Sequence, residues 1–150
     1  MINARAETLA EKPSFRDALR RRRCLIPADG FYEWRKEGSP KVPVHIRPKD
    51  GGVLTFAGLW DRWTSPEGEV IETCTIVTCR ANELIGAFHE RMPVIVPPEQ
   101  RDRWLDPEPV EPATLADLLV PYPSDLLEIR DASTRVNNPG NEGPENLGPA

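Results

Sequence analysis

No stretch of this 150-residue sequence approaches the roughly 20 consecutive apolar residues of a membrane-spanning helix. The opening MINARAETLAEK also lacks the apolar run of a secretion signal. A cytoplasmic chain with no membrane partner is therefore expected. Cysteine is scarce, with Cys24, Cys74 and Cys79 alone, and an odd count without a secretion signal excludes a disulfide framework. All three lie in apolar, β-rich settings (RCLIPA and TCTIVTC) and read as small buried hydrophobes. Cys74 and Cys79 are five apart, so on a strand they face opposite sides and do not make a ligand pair. No metal site and no cofactor is expected. A basic excess is lacking too: the net charge is −5. Its distribution is uneven, however. Residues 1–105 carry 17 Lys/Arg against 15 Asp/Glu, and residues 106–150 carry two against nine. A nearly neutral body can still hold a local basic groove.

Proline is plentiful, at 17 scattered positions, which favours short strands and turns over long helices. Residues 1–12 read as a polar, frayed terminus. A helix begins near Ser14, with Asp17 as a capping-box partner, and ends in Arg20–Arg23, where cations suit the helix dipole. Those arginines form either a solvated basic face or a phosphate clamp. The period then changes to two. CLIPA and GFYEWRK read as strands joined by the turn Asp29-Gly30. VPVHIR, VLTFAGLW and VIETCTIVTC read as further strands, separated by turns at KEGSPK, KDGG and TSPEGE. ANELIGAF suits a short helix capped by Asn82, VIV a short strand, and PPEQRDRWL a helix opened by proline. Residues 113–119 read as another short amphipathic helix and DLLEIRDAST as a final strand. From Asn137, Pro, Gly, Asn and Glu replace apolar residues, as in a loop or tail. The sum is an α+β domain built on antiparallel strands.

Four clusters could carry chemistry. Asn3-Ala4-Arg5-Ala6-Glu7-Thr8 is polar. In Gly30-Phe31-Tyr32-Glu33-Trp34, Phe31 and Glu33 face one way and Tyr32 and Trp34 the other. A carboxylate among aromatics loses water and gains basicity, which suits proton transfer, although an edge-strand Glu facing solvent has the same pattern. In Phe88-His89-Glu90-Arg91-Met92-Pro93, His89 can shuttle protons and Arg91 can hold a phosphate. A helix-terminal His stabilised by the dipole reads equally well. Trp34, Trp60, Trp63 and Trp104 divide between core and base stacking. His45 is assigned no function.

In their order, NARAET, RRCLIPADGFYEW, FAGLW, TIVTCRANELI, HERMPVIVPPEQRDRWL and VNNPGNEGP resemble the SRAP (SOS-response-associated peptidase) family of abasic-site processing proteins. The resemblance implies an SRAP-type fold, mainly antiparallel and barrel-like, with short peripheral helices. It places the domain at residues 1–136 and a C-terminal loop or tail at 137–150. The partner it implies is single-stranded DNA containing abasic sites, bound by a monomer that is nucleoid-associated when on DNA. In such proteins a cysteine directly after the initiator Met attacks the sugar's aldehyde, and amine and thiol together close a thiazolidine cross-link. By the same resemblance, Asn3, Glu33 and His89 are catalytic: Asn3 beside the cross-link, Glu33 in proton transfer, His89 in ring opening. Arg5, Arg91, Thr78 and Trp34 are DNA-binding. The family begins Met-Cys-Gly-Arg some tens of residues before its NAR motif, whereas this sequence begins Met-Ile-Asn-Ala-Arg. The N-terminal strands and the nucleophile are therefore expected to be missing. Two alternatives are a non-covalent DNA-binding module and a cysteine peptidase acting on its own N-terminus.

Overall fold

The computed structural model describes residues 3–38 and 40–148. Among the described residues, eight strands form two sheets. The larger takes β1 (Asn3–Arg5), β6 (Val70–Arg80), β5 (Leu54–Thr64) and β2 (Arg23–Ala28) in that order, with β7 (Arg91–Pro93) also paired to β6. The smaller is β3 (Phe31–Trp34), β4 (Pro43–Pro48) and β8 (Leu127–Asp131). All pairings are antiparallel except β1 on β6. Among the described residues the expected barrel does not close: the strands form two separate sheets, which pack through apolar side chains such as Phe31 against Phe56, ring centroids 5.8 Å apart. The helices α1 (Pro13–Arg21), α2 (Glu83–Gly86) and α3 (Arg101–Leu105) are short and peripheral, as expected.

Alternation explains the strands. In β4 and β8, Val44, Ile46 and Leu127 are buried and face the larger sheet, while Arg47 and Glu128 pair on the outer face. The long strand β6 pairs with β5 only up to Ile76. Beyond it the buried run Val94-Ile95-Val96 wedges between them, with Val94 N–H bonded to Val77 O and Ala57 N–H to Val94 O, both at 2.8 Å. That wedge carries the chain on from β7 between β6 and β5, with Ile95 bridged to Phe56, and so fixes where the segment holding His89 must lie.

Several local expectations change. The segment from Asn3 onward is not frayed: Asn3, Ala4 and Arg5 pair in parallel with Ile76, Val77 and Thr78, and Ala4 is buried. Asp29-Gly30 does not make a hairpin, because β2 belongs to the larger sheet and β3 to the smaller. The turn is a corner between sheets. Gly30 is required there, since a Cβ would meet the Ile46 carbonyl and come within 2.5 Å of the His45 ring. Gly30→Ala is expected to cost about 1–3 kcal/mol by overpacking, measured as a shift in the urea midpoint at constant slope. The helix expected at 113–119 is a run of 3-10 turns over Pro112–Leu118. Lys12 stands at the cap position of α1 without a side-chain cap bond, and Asp17 pairs with Arg22 at 2.7 Å instead. Asn82 caps α2 as expected, accepting from Ile85 N–H at 2.9 Å. Cys79 is buried and Cys24 half-buried, but Cys74 is exposed on the projecting end of the β5–β6 ribbon, where Trp63 and Ile71 are exposed too.

Candidate functional site

Parallel pairing of β1 with β6 puts Arg5 beside Thr78. The β6–β7 ladder pairs Arg80 with Arg91, so the turn before β7 brings His89 to the same edge. The result is a cavity of about 300 Å³ lined by Asn3, Ala4, Arg5, Lys12, Phe15, Thr78, His89 and Arg91. A larger cavity, about 1150 Å³, lies on the outer face of the smaller sheet against His45, Arg47 and Arg130. It contains none of the residues singled out by sequence, and chemistry decides over size.

Within the smaller cavity the polar groups are unevenly committed. The Arg91 guanidinium grips the Glu7 carboxylate as a two-pronged fork, both bonds 2.9 Å, and also donates to Thr78 O at 2.9 Å and Thr78 Oγ1 at 3.2 Å. The hydrogen bonds from Arg91 hold the Glu7 carboxyl below the usual carboxylate range, and Glu7 raises Arg91 in turn. The Nδ1 atom of His89 sits between the Arg91 N–H, at 2.9 Å, and the Arg91 carbonyl, at 3.1 Å. A neutral ring accepts from the first and a protonated ring donates to the second, so Nδ1 is satisfied in both states and Nε2 is left for other work.

Glu33 approaches from the other sheet. Phe31, Glu33 and Arg35 alternate onto one side; Phe31 reaches Phe56, and Arg35 lies 5.7 Å over the Phe88 ring, next to His89. Glu33 is thereby partly shut from water. Burial pushes its carboxyl up, and the charge of His89 opposes that shift. A carboxyl raised by burial beside an imidazole is the pairing that general acid–base chemistry uses.

A sequence profile of the family described as SOS response associated peptidase (SRAP) matches residues 1–139. The chain belongs to the SRAP family. It is 49% identical over 146 residues to the abasic site processing protein YoqW of Bacillus subtilis, covering 97% of this chain and 65% of that one. It is 33% identical over 168 residues to the abasic site processing protein HMCES of Gallus gallus, covering 98% and 49%. A crystal structure of a protein from Bacteroides thetaiotaomicron superposes with a TM-score of 0.87 at 35% identity, covering 99% of this chain and 65% of that one. The SRAP chain thus spans about two thirds of its bacterial relatives and half of the vertebrate one. Among its described residues no helix is long and apolar enough to cross a membrane.

Of the residues singled out in this SRAP chain, Asn3, Arg5, Thr78, His89 and Arg91 line one cavity, and Glu33 interacts with His89 from β3. Trp34 does not join them. It lies on the opposite side of β3 with Tyr32, ring centroids 6.5 Å apart, and donates from Nε1 to Asn137 Oδ1 at 2.6 Å. Two residues were given no role from sequence: Glu7, the partner of Arg91, and Lys12, in the cavity lining. Glu7 lay inside NARAET, but nothing local marks it as the partner of a residue 84 positions away. Lys12 did leave a signal: a cation just ahead of Pro13 opposes the dipole of α1, a placement helix chemistry does not favour. The thiols of Cys24 and Cys79 make poor nucleophiles here. Burial pushes Cys79 up to about 11 and raises Cys24 as well.

Proposed function

We propose that this chain carries the acid–base pair and the DNA-gripping surface of an abasic-site processing centre acting on single-stranded DNA in the cytoplasm. The observation that carries the reading is the meeting of a buried-side Glu33 with His89 at the rim of a cavity walled by Asn3, Arg5, Thr78 and Arg91. An abasic sugar is small, aldehyde-bearing when ring-opened, and flanked by phosphates. It needs a proton shuttle for ring opening, a second group for the carbinolamine step, and cations for the backbone. His89 serves the first through Nε2, Glu33 the second, and Arg5 the third; Asn3 hydrogen-bonds the captured sugar.

Covalent capture additionally needs an amine and a thiol on one residue. When the amine is on the α-carbon and the thiol on the adjoining β-carbon, the amine condenses with the aldehyde, releasing water. The thiol then adds across the C=N bond to close a five-membered ring. Cys24, Cys74 and Cys79 are internal and cannot do this. The same fact, with the raised thiols of Cys24 and Cys79, disfavours the peptidase reading.

The test compares two single-stranded oligonucleotides, one with a central abasic site and one without, against two proteins. One protein is this chain; the other carries in addition the Met-Cys-Gly-Arg start, some tens of residues ahead of Asn3, that the family resemblance implies. This chain is expected to bind both oligonucleotides reversibly in fluorescence anisotropy. The extended one is expected to form a denaturant-stable adduct with the abasic strand alone. Binding by the extended protein without adduct overturns the covalent reading, and no binding at low salt by either protein overturns the whole.

A further inference from the structure

The cavity of about 1150 Å³ on the outer face of the smaller sheet is built from two sides. Its floor is β4 and β8, and its wall is the chain from Ala132 to Gly148. That wall is tied down. Ala132 N–H donates to Pro43 O at 3.2 Å, and Ser133 N–H to Asn146 O at 2.9 Å. Asn146 is buried and donates from Nδ2 to Asn141 O at 3.0 Å. On β3, Tyr32 turns to this side, its ring centroid 5.2 Å from that of His45, while Glu33 turns to the other. The cavity is therefore separate from the one that holds His89.

The floor holds basic groups short of partners. His45 is 6% exposed, and its imidazole makes no hydrogen bond among the described residues. Buried polar groups are normally paired, so a ring of this kind on a cavity floor has room for a ligand atom. Arg130 is its register partner on β8, and Arg47 lies two residues on, on the same side. Both arginines lean through Nε on one carboxylate oxygen of Glu128, Arg130 at 3.5 Å. Two cations thus share one anion, and the terminal nitrogens of both make no hydrogen bond among the described residues. Those nitrogens form the planar fork that matches a phosphate. Of the acidic groups in the lining, Asp131 is answered by Arg35 at 3.1 Å. The Glu145 carboxylate has no hydrogen bond or ion pair among the described residues, and Leu147 near it is exposed. A ligand with a phosphate for the floor and N–H donors on a flat body for the wall complements this lining.

We propose that this cavity is a second binding site, for a small phosphomonoester with an N–H-bearing body, the chemistry of a nucleoside monophosphate. The phosphate sits on Arg47, Arg130 and His45, and Glu145 accepts from the body. The volume is of the order of small-molecule sites, about 300–1,000 Å³, and inorganic phosphate would leave most of it empty. This site stands apart from the DNA reading given above, and neither depends on the other.

The chain has two histidines, His45 and His89, so imidazole NMR signals report on each cavity by itself. Guanosine monophosphate is the probe, because a guanine edge offers a carboxylate two parallel N–H groups. It is expected to move the His45 signals saturably. The groups facing His45 are Asp29, Tyr32, Arg47 and Arg130. Burial holds the ring below its ordinary value, Arg47 acts the same way and Asp29 opposes. A bound phosphate adds negative charge, so the His45 titration midpoint should rise with ligand. Guanosine, without the phosphate, is expected to leave His45 unmoved, and ribose phosphate, without the base, to bind about tenfold more weakly. Arg130→Ala is expected to weaken the nucleotide by about tenfold or more, through loss of charge-assisted hydrogen bonds, and to leave any response of His89 as in the parent. The Arg130 side chain is 54% exposed, so this variant should keep the parent's urea midpoint. The site is overturned if the nucleotide does not move His45, if guanosine moves it equally, or if Arg130→Ala binds like the parent. Ribose phosphate binding as tightly as the nucleotide overturns the role of Glu145. Displacement of the nucleotide by an oligothymidine phosphorylated at its end, and not by the unphosphorylated strand, assigns the cavity to strand ends and overturns the small ligand.

Discussion

Glu33→Gln, built into the extended protein with the Met-Cys-Gly-Arg start, is expected to slow capture of an abasic strand by about a hundredfold or more and, at the same time, to make the fold more stable at neutral pH. The first effect follows from the size of general acid–base contributions, about 10²–10⁴ in rate. Glutamine keeps the shape and the hydrogen-bonding capacity but cannot carry the proton. The second effect follows from burial. Glu33 has its carboxyl pushed up by loss of water, with His89 offsetting part of the shift. The folded chain therefore binds this proton more tightly than the unfolded chain does. The stability difference favours the fold below the ordinary glutamate value of 4.5 and is progressively lost as pH rises through and above it. At neutral pH the ionised carboxylate is a cost that Gln removes. Urea unfolding of parent and variant at pH 4 and pH 7 checks this: the variant's advantage should appear at pH 7 and shrink at pH 4. Glu7 has the opposite sign. Its carboxyl is lowered by Arg91, so its contribution is present above 4.5 and fades as pH falls. A rate loss in Glu33→Gln accompanied by lower stability at pH 7 would instead make Glu33 a structural group.

The parts of this fold legible in the sequence are those where one residue's neighbours in the chain decide its fate. Val44 and Ile46 alternate with His45 and Arg47, and the pattern is the strand. Asn82 caps α2 by reaching three residues forward. The Glu33 side of β3 follows from parity alone. What was not legible depends on partners far away in the chain. Asn3-Ala4-Arg5 is too short and polar to show a period, yet it pairs with β6 because Ala4 fits the core. Asp29-Gly30 has hairpin chemistry, but which sheet each flanking strand joins is decided by β5 and β4, and by the His45 ring that leaves no room for a Cβ. Barrel closure is likewise a property of sheet edges, and no local pattern encodes it. Cys74 looked like its apolar neighbours, but it pairs with Trp60, one step beyond the last β2 partner Leu59, and is exposed there. The site shows the same division: the motifs named Glu33 and His89, while the commitment of Arg91 to Glu7 is a contact across 84 residues.

The arginine run Arg20–Arg23 carries the same lesson into stability, and Arg23→Met is expected to cost about 3–5 kcal/mol, the range for breaking a buried charged network. The run is neither a uniform solvated face nor a clamp. Arg21 and Arg22 pair with Asp17 at the surface, where such contacts contribute at most about 1 kcal/mol. Arg23 turns inward and is 7% exposed. Its guanidinium donates to the carbonyls of Leu19 at 2.7 Å, Arg20 at 2.8 Å, Trp104 at 2.8 Å and also Asp106. The first two are the unpaired carbonyls at the C-terminal end of α1; the others close the end of α3. One side chain thus satisfies two helix ends with the charge their dipoles favour, 5.9 Å over the ring of Trp104, itself buried and bonded to Cys24 O at 2.8 Å. Methionine fills much of the volume but leaves four carbonyls without a donor, each a loss of about 1–3 kcal/mol before relaxation. Lysine keeps the charge and has three donors from one point, which cannot span both helix ends. Chemical denaturation should therefore rank the parent above Arg23→Lys and Arg23→Lys above Arg23→Met, with Arg21→Ala close to the parent. Equal losses in Arg21→Ala and Arg23→Met would mean that the run acts by its summed charge and that the inward turn of Arg23 contributes nothing of its own.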